Sequence, residues 1–552
     1  MSLNSKMTPL PAGMLFLLGY MVLFTAFFNA AWVSDDAFIT FRSVRNLIEG
    51  YGPVWNIDER VQVYTHPLWF LLLSAVTYMI GDPYWASFAL SAACLFGSVY
   101  FVFKLSESPL IAALFLIALS LSKVFIDYTT SGLENPLSCF LAAAMFYFYL
   151  QHLQASSGKS LLLTLLCGSL LSLNRFDLFL IALPVAAMAL FHARHIGAAR
   201  IAGICIASAL PTLVWLAFAT YYYGSPLPNT YFAKLSTLIP ADQLLEQGIA
   251  YLAAFVKYDI GSFLILIAGI ALGARGKLAP FAIGMALYVF YSIKTGGDFM
   301  VGRFYAVPVF IAFLVILKSE VISALRTQSI IVMIAVGIPS IFVTVLTPSN
   351  YSDYFISEHG IANERGYYTL HTGLRRNIAK PVRITHPFAQ MGVAVAQEKA
   401  LLVESCYVGM MGFYANKNTT IVDGYGLTDP LLARLPAIYP WRIGHFERPA
   451  PDGYYKILTG NDSQLSDASL DSLWQDLYLA HRAPLDSDNR LAAIWRLHTD
   501  DWKSHVLNSD EVQHSQTQRK ASPYHCRGIA GASYTIIASH GEAPNYNEVI
   551  QQ

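Results

Sequence analysis

The chain has 552 residues, 55% of them hydrophobic and only 13% charged, and its 36 basic residues are balanced by 36 acidic ones. So large an apolar share excludes an ordinary soluble protein of this length. The chain reads as a polytopic α-helical membrane protein, with no nucleic-acid partner expected.

About 20 helical residues cross a hydrocarbon core roughly 30 Å thick. Measured against that length, apolar runs fall at approximately 10–33, 84–103, 109–128, 136–151, 160–174, 176–192, 201–222, 260–274, 278–293, 304–317 and 329–346, so about eleven transmembrane helices are predicted. The stretch from Leu68 to Ile80 is short and suits an interfacial helix better than a crossing. With that stretch kept out of the membrane and the N-terminus inside, the inner loops hold Lys6, Lys104, Lys159, Arg194, Arg200, Arg275, Lys277, Lys318 and Arg326, against Glu107 and Glu320. This is the positive-inside pattern. It sends Asp35-Asp36, Thr130 to Glu134, Asn174 to Asp177, Gly224 to Thr230 and Gly296 to Asp298 to the outer face, together with the tail from about residue 347.

The first apolar run is longer than a signal-peptide core and lacks a small-residue cleavage motif, so it is expected to stay as an anchor. Cys94, Cys139, Cys167 and Cys205 lie in apolar runs and read as packing residues. Cys406 and Cys526, alone in the tail, can form a disulfide if exported. The tail, 347–552, reads as a soluble extracytoplasmic α/β domain. Strand patterns occur at 400–403, 419–423 and 533–539, and helical spacing at 466–480 and 488–495. The membrane part, 1–346, carries its first outside loop at 34–83.

Most of the chemistry lies in the outer loops. Asp35 and Asp36 begin a short amphipathic helix in which Phe38, Phe41 and Ile48 recur and Gly50 marks the stop. Carboxylates there are favoured by the helix dipole, and one could simply cap it. His66 precedes Pro67, a favoured first-turn residue; it serves either as a structural hydrogen-bond partner or at a site. Glu134 could cap the next helix. Arg175 and Asp177 could pair with each other, and Lys234, following Asn229, could snorkel. Lys294, Asp298 and Arg303 bracket a Gly-Gly turn that allows close approach to a ligand or merely a tight turn. Together the loops offer carboxylates and cations on one face, as needed when a carboxylate activates an acceptor hydroxyl and Lys or Arg meets a departing phosphate. No Walker loop, HExxH or CxxC pair is present, and no run carries the midplane charges of an ion-coupled transporter.

The string Asp35-Asp36-Ala37-Phe38-Ile39-Thr40-Phe41-Arg42, continued through Gly52-Pro53-Val54-Trp55-Asn56 and Tyr64-Thr65-His66-Pro67-Leu68-Trp69, resembles the first outside loop of C-superfamily (GT-C) glycosyltransferases. Among them it resembles the arabinofuranosyltransferases that place terminal β-(1→2) residues on mycobacterial arabinan, and related enzymes that modify pilin. Ser131-Gly132-Leu133-Glu134, the loop from Tyr223 to Lys234, Gly296-Gly297-Asp298-Phe299 with Arg303, Val422 to Pro430 and Arg442-Ile443-Gly444-His445 extend the likeness. Asn174-Arg175-Phe176-Asp177 departs from the Arg-Pro-Asp common in relatives.

The resemblance implies a GT-C fold, a polyprenyl-phosphate sugar donor such as decaprenyl or undecaprenyl phospho-arabinofuranose, and a glycan or pilin-like protein acceptor. The reaction would take place on the outer face of the bacterial inner membrane. It implies that Asp35 or Asp36 is the catalytic carboxylate, with Arg42, His66, Glu134, Arg175, Asp177, Asn229, Lys234, Asp298 and Arg303 binding substrate. No cofactor is implied with certainty, and a divalent cation (Mg, Mn or Ca) is an option. A single base fits inversion, whereas the β-linking relatives use a β-linked donor, so stereochemistry stays open. Two other readings compete: transfer of a different sugar from a lipid phosphate, and a non-catalytic lipid-glycan transporter or assembly subunit.

Overall fold

A computed structural model describes residues 12–319, 355–379, 385–500, 502–513 and 534–539. The expected span at 329–346, the boundary near 346 and Cys526 lie outside the described residues. The described chain is predominantly helical, with one small sheet.

In chain order the helices are α1 (Ala12–Ala30), α2 (Asp35–Ile48), α3 (Pro67–Ile80), α4 (Pro83–Leu105), α5 (Pro109–Ser120), α6 (Lys123–Tyr128), α7 (Asn135–Ala155), α8 (Gly158–Asn174), α9 (Phe179–His192), α10 (Ala198–Tyr223), α11 (Asn229–Leu235), α12 (Ala241–Tyr258), α13 (Ile260–Gly273), α14 (Ala279–Lys294) and α15 (Ala306–Leu317). Six stretches are long and apolar enough to cross a membrane: Gly13–Ala30, Pro83–Leu105, Asn135–Ala155, Phe176–Ile196, Ala198–Tyr223 and Gly276–Lys294. The pair α12 and α13, bent by 112°, makes a seventh if it is one crossing. This supports a membrane protein with fewer full-length spans among the described residues than the eleven expected.

The difference has local causes. The run 109–128 breaks where Ser122 caps α6 with its hydroxyl, leaving α5 at 12 residues, about 18 Å long at 1.5 Å per residue. The helix α12 precedes the expected run at 260–274 and is amphipathic rather than apolar, so hydropathy alone passes over it. Its end is set by Asp259, which accepts from Ser262 N–H and from Val124 N–H at 3.0 Å each. The interfacial candidate is the 14-residue α3, opened by Pro67 and closed by Gly81 at φ +89°.

The tail supplies α16 (Glu364–Thr372), α17 (Leu374–Ala379), α18 (Pro387–Gln397), α19 (Met410–Tyr414), α20 (Ala468–His481) and α21 (Arg490–Thr499), with strands β1 (Ala400–Ser405), β2 (Thr420–Asp423) and β3 (Tyr534–Ser539). The sheet order is β2-β1-β3, with β1 parallel to β2 and antiparallel to β3. One buried core runs from the helical bundle through Phe38, Phe41, Trp55 and Trp69 to Met410 and Met411 of the tail. A second core, around Leu402, Val422, Leu431, Trp474 and Leu477, joins the sheet to α20. Cys406 is disulfide-bonded, while Cys94, Cys139, Cys167 and Cys205 are free.

The first loop and the tail meet along a polar seam. Arg42, fully buried, donates to the carbonyls of Trp55, Gly412 and Thr419. Arg45 donates to Phe413 O at 2.7 Å and lies over the Phe413 ring. The Asn56 side chain exchanges two hydrogen bonds with the backbone of Ile421. These contacts fix α2 against α19 and so determine what surrounds the residues at the start of α2.

Candidate active site

Neither aspartate caps α2. Ser34 does so, its hydroxyl accepting from Ala37 N–H, and Asp35 and Asp36 occupy the first turn with their side chains diverging. Asp35 Oδ1 accepts from Met410 N–H at 2.8 Å. The approach is close because residue 409 is glycine; a Cβ there would stand 2.4 Å from Asp35 Oδ2. Burial pushes the Asp35 carboxyl up to about 7, against the pull of the Met410 N–H and with a further push from Asp36. Asp36 turns towards cations instead, with Oδ2 3.9 Å from Arg303. Its carboxyl is also raised by burial, opposed by Lys234 and Arg303 and reinforced by Asp298 and Glu134.

Glu134 is fully buried at the N-terminus of α7 and makes no capping hydrogen bond. It accepts instead from Arg303 Nη2 at 3.3 Å and from Arg175 Nη1 at 3.2 Å, and His66 Nδ1 lies 3.3 Å away. Burial alone would raise this carboxyl, but Arg303, His66 and Arg175 hold it well below the usual range. His66 Nε2 is 2.9 Å from Thr40 Oγ1. Arg175 also forms the expected pair with Asp177, through Nε at 2.9 Å and Nη2 at 2.8 Å, and its guanidinium lies over Phe304. Tyr288 donates to Asp177 Oδ2.

Beside this network is a cavity of about 190 Å³, lined by Arg175, Asp177, Lys234, Asp298 and Arg303 among its polar residues and by Tyr231, Tyr291 and Phe304 among its rings. The Gly296-Gly297 turn shapes one wall. Both glycines have positive φ, and a Cβ on Gly297 would collide with the Tyr251 ring at 2.3 Å. Asp298 Oδ2 is buried without a hydrogen-bond partner, though Arg303 Nη1 stands 3.6 Å away. Lys234 Nζ lies 5.4 Å from the Phe299 ring centre. Unlike Arg175 and Arg303, it forms no ion pair among the described residues.

The structure thus brings Asp36, His66, Glu134, Arg175, Asp177, Lys234, Asp298 and Arg303 together, with Asp35 one residue behind. The side chains of Arg42 and Asn229 are turned elsewhere, although Pro228 and Thr230, on either side of Asn229, line the cavity. Asn229 donates to the carbonyls of Gly426, Leu427 and Asp429, and Arg42 belongs to the seam.

Sequence reading missed Glu364 and the setting of Arg442. Glu364 is buried at the start of α16, two residues after Ala362, which pairs with Met300. Burial raises its carboxyl to about 8, with Arg442 opposing and Asp36, Asp35 and Asp298 reinforcing. No spacing motif marks it in the sequence. Among the described residues no group of three or more His, Cys, Asp or Glu side chains is gathered to hold a metal ion. The arrangement can therefore offer a proton acceptor of near-neutral pKa beside a cationic, partly enclosed space.

No family model matches the chain. It is similar to two curated proteins, both named terminal beta-(1->2)-arabinofuranosyltransferase. One, from Corynebacterium glutamicum, is 27% identical over 517 residues, covering 76% of this chain and 74% of that protein. The other, from Mycobacterium tuberculosis, is 28% identical over 326 residues, covering 50% of this chain and 51% of that protein.

Proposed function

We propose that this chain is an integral membrane glycosyltransferase that moves a pentofuranose, D-arabinofuranose, from a polyprenyl-phosphate sugar to an exported glycan or protein acceptor. In this reading residues 1–346 form a GT-C transmembrane catalytic domain and 347–552 an extracytoplasmic domain, with the site on the outer face of the inner membrane. The observation that carries it is Lys234, a cation without an ion pair among the described residues, facing a cavity in which Arg303 stands 3.9 Å from Asp36. The names of the two similar proteins support the same chemistry.

Asp35 takes the proton of the acceptor hydroxyl, a role suited to a carboxyl near pH 7. The hydroxyl oxygen bonds to the anomeric carbon as the carbon–oxygen bond to phosphate breaks. The polyprenyl phosphate departs with the negative charge, which Lys234 and Arg303 meet without moving. Asp36 holds the cations in place and orients the donor, and the buried Glu134 fixes Arg303 and Arg175. Asp298, with its unpartnered oxygen, accepts from a sugar hydroxyl.

The test is turnover by the purified protein with synthetic polyprenyl phospho-arabinofuranose and a glycan acceptor, read as the gain of one pentose in acceptor mass. Wild type should transfer, whereas Asp35→Asn and Asp36→Asn should not. Retained transfer in both variants would overturn the mechanism. Gain of a hexose, from a hexose donor only, would replace the sugar; binding of donor without any turnover would favour a transporter or assembly subunit.

A further inference from the structure

A second cavity, of about 310 Å³, lies between the α11–α12 connection and the tail segment 435–441. Its size falls at the lower edge of the roughly 300–1,000 Å³ typical of small-molecule sites. The two cavities share a thin wall. Leu235 and Ile443 line the first, while Thr237 and Trp441, two residues away in each segment, line the second. Trp441 and Phe446, one from each cavity, meet across it with ring centres 5.8 Å apart.

The two spaces differ in charge. Five charged side chains line the first, whereas no residue described along the second is charged. A phosphate or an ionised side chain entering the second would lose hydration with nothing to replace it. The occupant is therefore uncharged.

The walls also indicate its shape. The Trp441 indole is held by its N–H to Gln243 Oε1 at 3.3 Å, and Tyr439 beside it is 65% exposed. Such rings present a flat apolar face with a polar edge. The Thr237 hydroxyl and the Gln243 amide add hydrogen-bonding groups to the lining. Leu238 is held at φ +59°, a left-handed conformation that is costly for a side chain with a Cβ and that clusters at binding sites. A flat apolar face rimmed by hydroxyls is what a neutral sugar ring offers in return.

We propose that this cavity is an acceptor subsite that holds an uncharged sugar of the acceptor glycan, set back from the reacting end, with Trp441 and Tyr439 stacking on it. The inference rests on the glycosyltransferase reading, and it makes the acceptor a chain of several sugars rather than a single residue.

Two measurements on the full-length protein in lipid nanodiscs test it. In the first, an arabinofuranose disaccharide and hexasaccharide serve as acceptors with synthetic polyprenyl phospho-arabinofuranose. Wild type should show a lower KM for the hexasaccharide. Trp441→Ala and Tyr439→Ala should raise that KM by about tenfold more than the disaccharide KM, with Trp441→Phe keeping most of the preference. In the second, hexasaccharide binding is followed by saturation-transfer NMR without donor, and should weaken about tenfold in Trp441→Ala. No length preference in wild type, equal KM effects on both acceptors, or unchanged hexasaccharide binding in Trp441→Ala would overturn the subsite, as would a rise confined to the donor KM, which would make the cavity a lipid site. Absent turnover with binding that depends on Trp441 would instead overturn the transferase reading and leave the sugar site standing.

Discussion

The seam between first loop and tail and the charged cavity beside it are both rich in buried polar side chains, yet they satisfy them differently. At the seam, most long-range side-chain contacts go to backbone, the ion pairs of Arg482 with Asp58 and Glu59 and of Lys417 with Glu49 being exceptions. Arg42 takes three carbonyls there, and elsewhere in and against the tail Asn229 takes three, Arg448 takes four, and Asp423 accepts three N–H groups from Tyr425, Leu427 and Thr428. In the cavity, side chains bond to one another, and a carboxylate oxygen and an ammonium group are left over. Asp298 Oδ2 is the one buried carboxylate oxygen without a hydrogen bond among the described residues, and Lys234 forms no ion pair there. A polar side chain saturated by backbone is committed to architecture, whereas one held by other side chains with a free valence is available to a ligand.

Substitutions can break this distinction, and the largest effect is expected at the aspartates. Removing a positioned general base typically costs about 10²–10⁴ in rate, so Asp35→Asn should lose that much in single-turnover transfer. It should not lose stability, because an amide oxygen can still accept from Met410 N–H. Asp35 is raised to about 7 from an ordinary 3.8, so the folded state binds the proton more tightly than the unfolded one, and this group makes stability fall as pH rises from about 4 to about 7. The thermal midpoint of Asp35→Asn at pH 8 should therefore equal or exceed that of wild type.

Arg42→Ala should do the reverse. It takes the Arg42 donor from the buried carbonyls of Gly412 and Thr419, at about 1–3 kcal/mol each, while Trp55 O keeps Asn46 Nδ2, so the thermal midpoint should drop sharply or the protein should fail to accumulate. Any folded fraction should keep transfer far above that of Asp35→Asn. A rate loss matching Asp35→Asn at normal stability would place Arg42 in the site and erase the distinction.

Lys234→Met should raise the donor KM by about tenfold to a hundredfold, the worth of a hydrogen bond to a charged group, with little effect on the thermal midpoint. The smallest effect is a matter of pH. The rate kcat/KM should fall on the acid side of about 7 in wild type, because Asp35 must lose its proton to act. That limb should persist in Lys234→Met, and its absence from wild type would remove Asp35 as the base.

The cavity and the charged network beside it were legible to the extent that their residues sit at the ends of apolar runs. Asp36, Glu134, Arg175, Lys234 and Asp298 come from five separate loops, and the distribution of basic residues alone assigns those loops to one face. The likeness of the first loop to GT-C transferases was legible for the same reason. Two things were not. A charge in the tail carries no hydropathy contrast, so Glu364 looked ordinary and Arg442 stood out only as part of a short motif. Whether a polar residue is consumed by backbone depends on distant segments: Arg42 meets Gly412 across 370 residues of sequence, and Asn229 meets Gly426 across 197. Helix lengths failed locally too, where Ser122 and Asp259 start new helices inside or beside apolar runs.

The hydrogen bond from Met410 to Asp35 closes a loop of 375 residues. A nascent chain that has inserted its helices but not yet delivered residue 410 carries both aspartates in their helix, yet lacks the N–H that orients one of them and the enclosure that tunes it. On the proposed mechanism, the base is thus a late product of biosynthesis, completed by docking rather than by insertion.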